Sequence, residues 1–151
     1  LNDKEFSKNN MRCISQVNDN LWCGTDGGVL VFNLKTKKFI KEINFGHDSR
    51  YSNRVVSFVI DKNPDILWIG TWEGLVKFNI STNTFSVLKN NELDQNSLSN
   101  NKISCLFSDK QKNIWIGTYE DGINIYFPSS VKFQLFNKNN GLVNDYVYSI
   151  I

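Results

Sequence analysis

One five-residue pattern recurs three times in this chain at nearly constant spacing, and a repeat of that period admits few folds. Leu21-Trp22-Cys23-Gly24-Thr25 returns as Leu67-Trp68-Ile69-Gly70-Thr71 and again as Ile114-Trp115-Ile116-Gly117-Thr118, after 46 and then 47 residues. Gly28, Gly74 and Gly122 follow the three cores. An aromatic comes four residues later (Phe32, Phe78, Tyr126), and another seven beyond that (Phe39, Phe85, Phe133). In the middle unit the pattern predicts strands at Val55 to Ile60, Leu67 to Gly70, Leu75 to Asn79 and Thr84 to Leu88. Turn-forming segments separate them, such as Asn63-Pro64-Asp65 and Trp72-Glu73-Gly74. Four strands in about 40–50 residues with a Gly and Trp signature describe a β-propeller blade, a four-stranded antiparallel meander.

Composition agrees. The 151 residues contain no alanine, the best helix former, whereas Val, Ile, Phe, Tyr and Trp supply 45 of them, so an all-helical protein is excluded. With 40% hydrophobic residues the chain is too apolar for disorder, yet no run nears the ~18 apolar residues of a membrane span. The expectation is an all-β chain of about three blades forming an open arc or partial propeller. Blade 1 spans about 9–45, blade 2 about 53–89 and blade 3 about 101–137, with 144–151 as the first strand of a further blade. Leu1 is not an initiator Met and no signal-peptide pattern follows it, so the chain reads as a piece of a longer one. Its outer blades are expected to meet further blades of that parent, or to drive self-association of the isolated piece.

Because strand side chains alternate, Trp22, Trp68 and Trp115 face one blade–blade interface. Leu21/Cys23, Leu67/Ile69 and Ile114/Ile116 face the other. Gly24, Gly70 and Gly117 permit close approach of a neighbour, and Thr25, Thr71 and Thr118 begin the next turn; all nine Trp, Gly and Thr residues are therefore structural. Cys13, Cys23 and Cys105 fit no metal or disulfide spacing and read as small buried hydrophobes, with a Cys13–Cys23 bridge left open. Pro128 should end its strand.

The run Leu67-Trp68-Ile69-Gly70-Thr71, Gly74-Leu75, Phe78-Asn79, Thr82 and Phe85, with Asn96-Ser97-Leu98-Ser99-Asn100-Asn101-Lys102-Ile103, resembles the two-component regulator propeller repeat. Such repeats form the periplasmic sensor region of hybrid two-component systems in Bacteroides-type bacteria. The resemblance implies a periplasmic location, recognition of polysaccharide-derived oligosaccharides, control of transcription of their utilisation genes, and a histidine kinase elsewhere in the parent. A structural or protein-interaction arc with no small-molecule site of its own is the other reading. Cys23 and the longer Tyr119-Glu120-Asp121-Gly122 turn depart from the repeat.

Catalysis has little support: His47 stands alone in a polar link, and no phosphate loop, nucleophile elbow or carboxylate pair is present, so no catalytic residue, metal site or cofactor is expected. Asp61 and Asp109 end their first strands at matching positions and suggest a repeated turn bond. Asp26, Glu73, Glu120 and Asp121 read as solvated turn residues rather than metal ligands. The basic cluster Lys35, Lys37, Lys38 and Lys41 reads as a solvated turn, and the scattered net charge of +2 offers no nucleic-acid surface. Binding is better supported. In a meander, the turn after strand two and the link to the next unit open on the same face. That face collects Trp72, Glu73, Tyr119, Glu120 and Asp121, with Arg50, Asn53 and Asn100 from the links, as candidates to hold a sugar. Trp72 stands out, because Asp26 and Tyr119 at the equivalent positions show that the repeat does not require Trp there.

Overall fold

A computed structural model describes residues 10–46, 53–128 and 132–151. His47 and Arg50 lie outside the described residues. The described residues form three four-stranded antiparallel meanders. The first runs β1 (Met11–Val17), β2 (Asn20–Thr25), β3 (Gly28–Asn33) and β4 (Lys38–Ile43). The second runs β5 (Val55–Ile60), β6 (Ile66–Thr71), β7 (Gly74–Asn79) and β8 (Thr84–Leu88). The third runs β9 (Ile103–Ser108), β10 (Ile114–Thr118), β11 (Ile123–Phe127) and β12 (Lys132–Phe136). β11 stops immediately before Pro128, which has no N–H to donate. The first sheet meets the second and the second meets the third, giving the open arc of propeller blades expected.

Two cores hold the arc together, one in each inter-sheet space. Trp22 packs edge-on against Phe78 at 5.4 Å, among Val31, Leu67, Ile69 and Val76. Trp68 meets Tyr126 at 5.0 Å, among Leu75, Ile114 and Ile116. Each indole thus faces the following sheet, whose Leu67/Ile69 or Ile114/Ile116 pair supplies the opposite wall. Burying one such indole contributes roughly 4–6 kcal/mol at about 25 cal/mol/Å². Trp115 has no following sheet among the described residues and is only half-buried.

Between the indoles the glycines form notches. Gly24 lies beneath Val55 and beside Cys13, Gly70 beneath Ile103 and Leu106, and Gly117 beneath Val147 and beside Cys105. Opposite these glycines across the ladder stand Cys13, Ser57 and Cys105. These small side chains let the first strand of the next sheet come close. Ser57 uses the closeness to accept a hydrogen bond from the Leu106 N–H at 3.2 Å. Burial pushes the Cys13 thiol up to about 12 and raises Cys23 and Cys105 as well, so all three are protonated, free thiols. The register closes the question of a Cys13–Cys23 bridge. Cys13 pairs with Gly24, so Cys23, one residue away, points to the opposite face.

Residues 144–151, expected as a first strand, form no strand. A first strand needs a second to pair with, and none follows it within these residues. Val147 nevertheless occupies the place over Gly117 that Val55 and Ile103 occupy over Gly24 and Gly70.

The expected turn bond at Asp61 and Asp109 is present and does more than turn the chain. Asp61 accepts from the Asn63 N–H at 3.0 Å and from the Trp68 indole N–H at 2.6 Å. Asp109 accepts from the Asn113 N–H at 2.8 Å and from the Trp115 indole N–H at 3.0 Å. Each carboxylate thereby fixes the orientation of its own core tryptophan. In the first sheet Val17 stands at this position and joins the core around Trp22.

The notch at Gly24 is open to test. A methyl group there overlaps Cys13 and stands 2.6 Å from Val55 Cγ1, and both neighbours are held in place by the inter-sheet core. Gly24→Ala is expected to cost about 1–3 kcal/mol, read by chemical denaturation. Val55→Ala in the same chain should recover part of that loss, because the two sites share one contact.

Candidate ligand-binding site

The site is built from a turn repeated three times. Thr71 donates its hydroxyl to the Gly74 carbonyl at 2.8 Å and accepts the Glu73 N–H at 3.1 Å. Thr25 does the same with Gly28 and Gly27, and Thr118 with Gly122 and Asp121. Gly28 and Gly74 take φ of 130° and 129°, a region that a side chain would strain. The residue after each threonine then bonds through its N–H to the residue that precedes the first strand: Asp26 to Asn10, Trp72 to Arg54 and Tyr119 to Lys102. The backbone is therefore constant and the side chain is free to vary.

Those side chains form a row across the blades. Asp26 is 3% exposed and is not the solvated turn residue expected. Arg12 grips it through Nε at 2.9 Å and a terminal nitrogen at 3.0 Å, Asn10 donates at 3.2 Å, and Arg54 from the second blade pairs with it at 2.7 Å. The Arg12 hydrogen bonds hold the Asp26 carboxyl below the usual carboxylate range against the opposing effect of burial, helped by Asn10 and Arg54. The Arg54 guanidinium then lies over the Trp72 ring at 3.9 Å. Trp72 meets Tyr119 edge-on at 6.5 Å, and Tyr119 meets Tyr146 at 6.1 Å.

A polar hollow of about 440 Å³ opens beside Trp72. Its lining includes Glu73 and Asp121 from the turns and Asn90, Glu92, Ser99, Asn100, Asn101 and Lys102 from the link between the second and third sheets. Side-chain bonds to the backbone hold this link in place. Asn101 accepts the Asn90 N–H at 2.7 Å, Asn90 donates to the Leu98 carbonyl at 2.6 Å, and Asn124 accepts the Ser99 N–H at 3.1 Å. Asn100 donates to the Asp121 carboxylate at 2.7 Å across the hollow's wall. The arrangement offers an aromatic surface, amides and carboxylates, and it suits recognition of a polyhydroxylated ligand.

Of the residues expected from sequence, Trp72, Glu73, Asn100 and Asp121 come together here, with Tyr119 edge-on to Trp72. Glu120 is exposed and lies outside the lining. Asn53 is a correction. It is buried and accepts the Phe45 N–H at 3.1 Å, fastening the start of the link between the first and second sheets. Asn90, Glu92, Ser99, Asn101 and Lys102 were missed. Their only sequence signal is membership of the long Asn90-to-Asn101 link, because nothing in its composition shows which residues curl toward Trp72.

The Asp26 clasp has a pH signature. Its folded value is depressed, so its contribution is complete above the ordinary carboxylate value and fades as pH falls through the lowered one. Asp26→Asn should lower stability by about 2 kcal/mol at neutral pH. The gap to the parent chain should close in acid, as followed by denaturation at a series of pH values.

The two component regulator propeller family matches residues 97–120. No curated protein sequence matches the chain. Among solved structures, the chain is similar to an extracellular domain described as that of the hybrid two component system BT3049 from B. thetaiotaomicron. Identity is 27% and the TM-score is 0.78, over 92% of this chain and 20% of that one. It is also similar to the corresponding domain of BT4673 from the same organism, at 25% identity and TM-score 0.67, over 83% of this chain and 16% of that one. PorZ, a surface component of the type-IX secretion system of Porphyromonas gingivalis, shares the fold at 14% identity and TM-score 0.68, over 93% of this chain and 23% of that one. The chain thus spans about a fifth of the length of these structures. No helix among the described residues is long and apolar enough to cross a membrane. The blade architecture of this chain is therefore similar to that of those extracellular domains, and its third core, Ile114-Trp115-Ile116-Gly117-Thr118, lies within the segment that matches the two component regulator propeller family.

Proposed function

We propose that the chain is part of the periplasmic sensor region of a hybrid two-component histidine kinase/response regulator, and that it recognises oligosaccharides released from polysaccharides. On this reading it acts by binding, and the kinase that changes transcription of the utilisation genes belongs to the rest of the parent. Further blades of the parent cover the Trp115 face. The observation that carries the proposal is Trp72. The turn does not require an aromatic there, yet the indole is held by Arg54 at the edge of a hollow lined with amides and carboxylates. An indole face covers the C–H face of a pyranose, and the amides and carboxylates satisfy its hydroxyls.

The competing reading is an interaction arc without a small-molecule site. It draws on the half-buried Trp115 and on Tyr148, which is 75% exposed. Titration separates the two. Gluco-, manno- and galacto-tetraoses are added while tryptophan emission and heat are followed, with dissociation constants expected at about 10 µM to 1 mM. Trp72→Ala should weaken binding by about tenfold or more, as loss of a stacking residue does, while leaving the unfolding midpoint nearly unchanged. Absence of heat and of emission change for every sugar, together with self-association in light scattering, supports the interaction arc instead.

A further inference from the structure

We infer that the hollow beside Trp72 selects uncharged saccharides and turns away those carrying uronate or sulfate groups; this rests on the saccharide reading above and specifies its ligand. Four charged residues line the hollow: the acidic Glu73, Glu92 and Asp121, and the basic Lys102. Negative charge is in excess on the surface that a ligand touches. Lys89 moderates Glu73 from outside at 3.5 Å, but Glu92 is exposed, and Asp121 takes its hydrogen bond from the neutral Asn100.

An anionic sugar is normally gripped by the two-pronged guanidinium of arginine, whose geometry matches a carboxylate or sulfate. The described arginines are committed elsewhere. Arg12 and Arg54 both close on Asp26, and Arg54 reaches this region as the cation stacked on the Trp72 ring. Apart from Lys102, the polar residues of the lining are carboxylates, amides and the Ser99 hydroxyl, which match the hydroxyl groups of a neutral sugar. A carboxylate on the ligand would sit within a Debye length, about 8 Å at physiological salt, of several lining carboxylates.

The test compares each gluco-, manno- or galacto-tetraose with its C6-oxidised counterpart, in which the linkages are kept and each CH₂OH becomes a carboxylate. Calorimetry at low and at physiological salt should show the oxidised sugar binding about tenfold more weakly, which corresponds to ~1.4 kcal/mol. Raising the salt should narrow the gap, as should Glu92→Gln, and Glu92→Lys should narrow it further. Glu92 is a surface residue of the link, so these variants leave both inter-sheet cores intact. Equal or tighter binding of the oxidised sugars, with the neutral ones still bound through Trp72, overturns the selectivity and leaves the saccharide site standing. Failure of neutral and oxidised sugars alike overturns the site itself.

Discussion

Everything in this protein depends on the fit of one sheet's indole and notch against the next sheet. Each sheet is apolar on both faces and no helix among the described residues covers it, so it is stable only between neighbours. Trp22 and Trp68 fill the wide part of the two inter-sheet spaces, and Gly24 and Gly70 narrow the part where the next first strand arrives. A bulky group and an absent one, two residues apart on the same strand face, therefore set both the spacing of the blades and their fanning. The carboxylates of Asp61 and Asp109 complete the device by bonding the indole N–H, which would otherwise be removed from water without a partner.

That rigid scaffold leaves the rim free to vary. The Thr–Gly turn satisfies its own backbone in all three blades, so the turn does not dictate the residue after the threonine, which can be an aspartate, a tryptophan or a tyrosine. In the first blade this position clasps the second through Asp26 and Arg54. In the second, the same Arg54 steadies Trp72 against the hollow. Structure and recognition thus meet in one guanidinium, which joins the blade interface to the aromatic wall of the site.

Much of the fold was legible because the repeat is periodic and the forces behind it are local. Alternation along a strand assigns Leu67 and Trp68 to opposite interfaces, the missing N–H of Pro128 ends β11, and recurrence separates structural Thr71 from the variable Trp72. Less of the site was legible. Asn53 looked like a surface amide because links are usually solvated, but folding buries it against Phe45. Asp26 looked like a solvated turn residue because the two arginines that enclose it come from β1 and from the start of the second blade, with Arg54 28 residues away in sequence.

The sequence by itself determined the four-stranded meander of each blade, the three-sheet arc and the residues that hold the sheets together. These follow from side-chain alternation, turn chemistry and a repeat that states the same solution three times. Only the tertiary structure decided which rim residues share a hollow, which way Asp26 turns, that Cys13 and Cys23 lie on opposite faces, and that Val147 takes the next blade's place over Gly117. Those outcomes depend on distances between segments far apart in the chain, and no local pattern encodes them until the indoles and glycines have fixed how one sheet lies on the next.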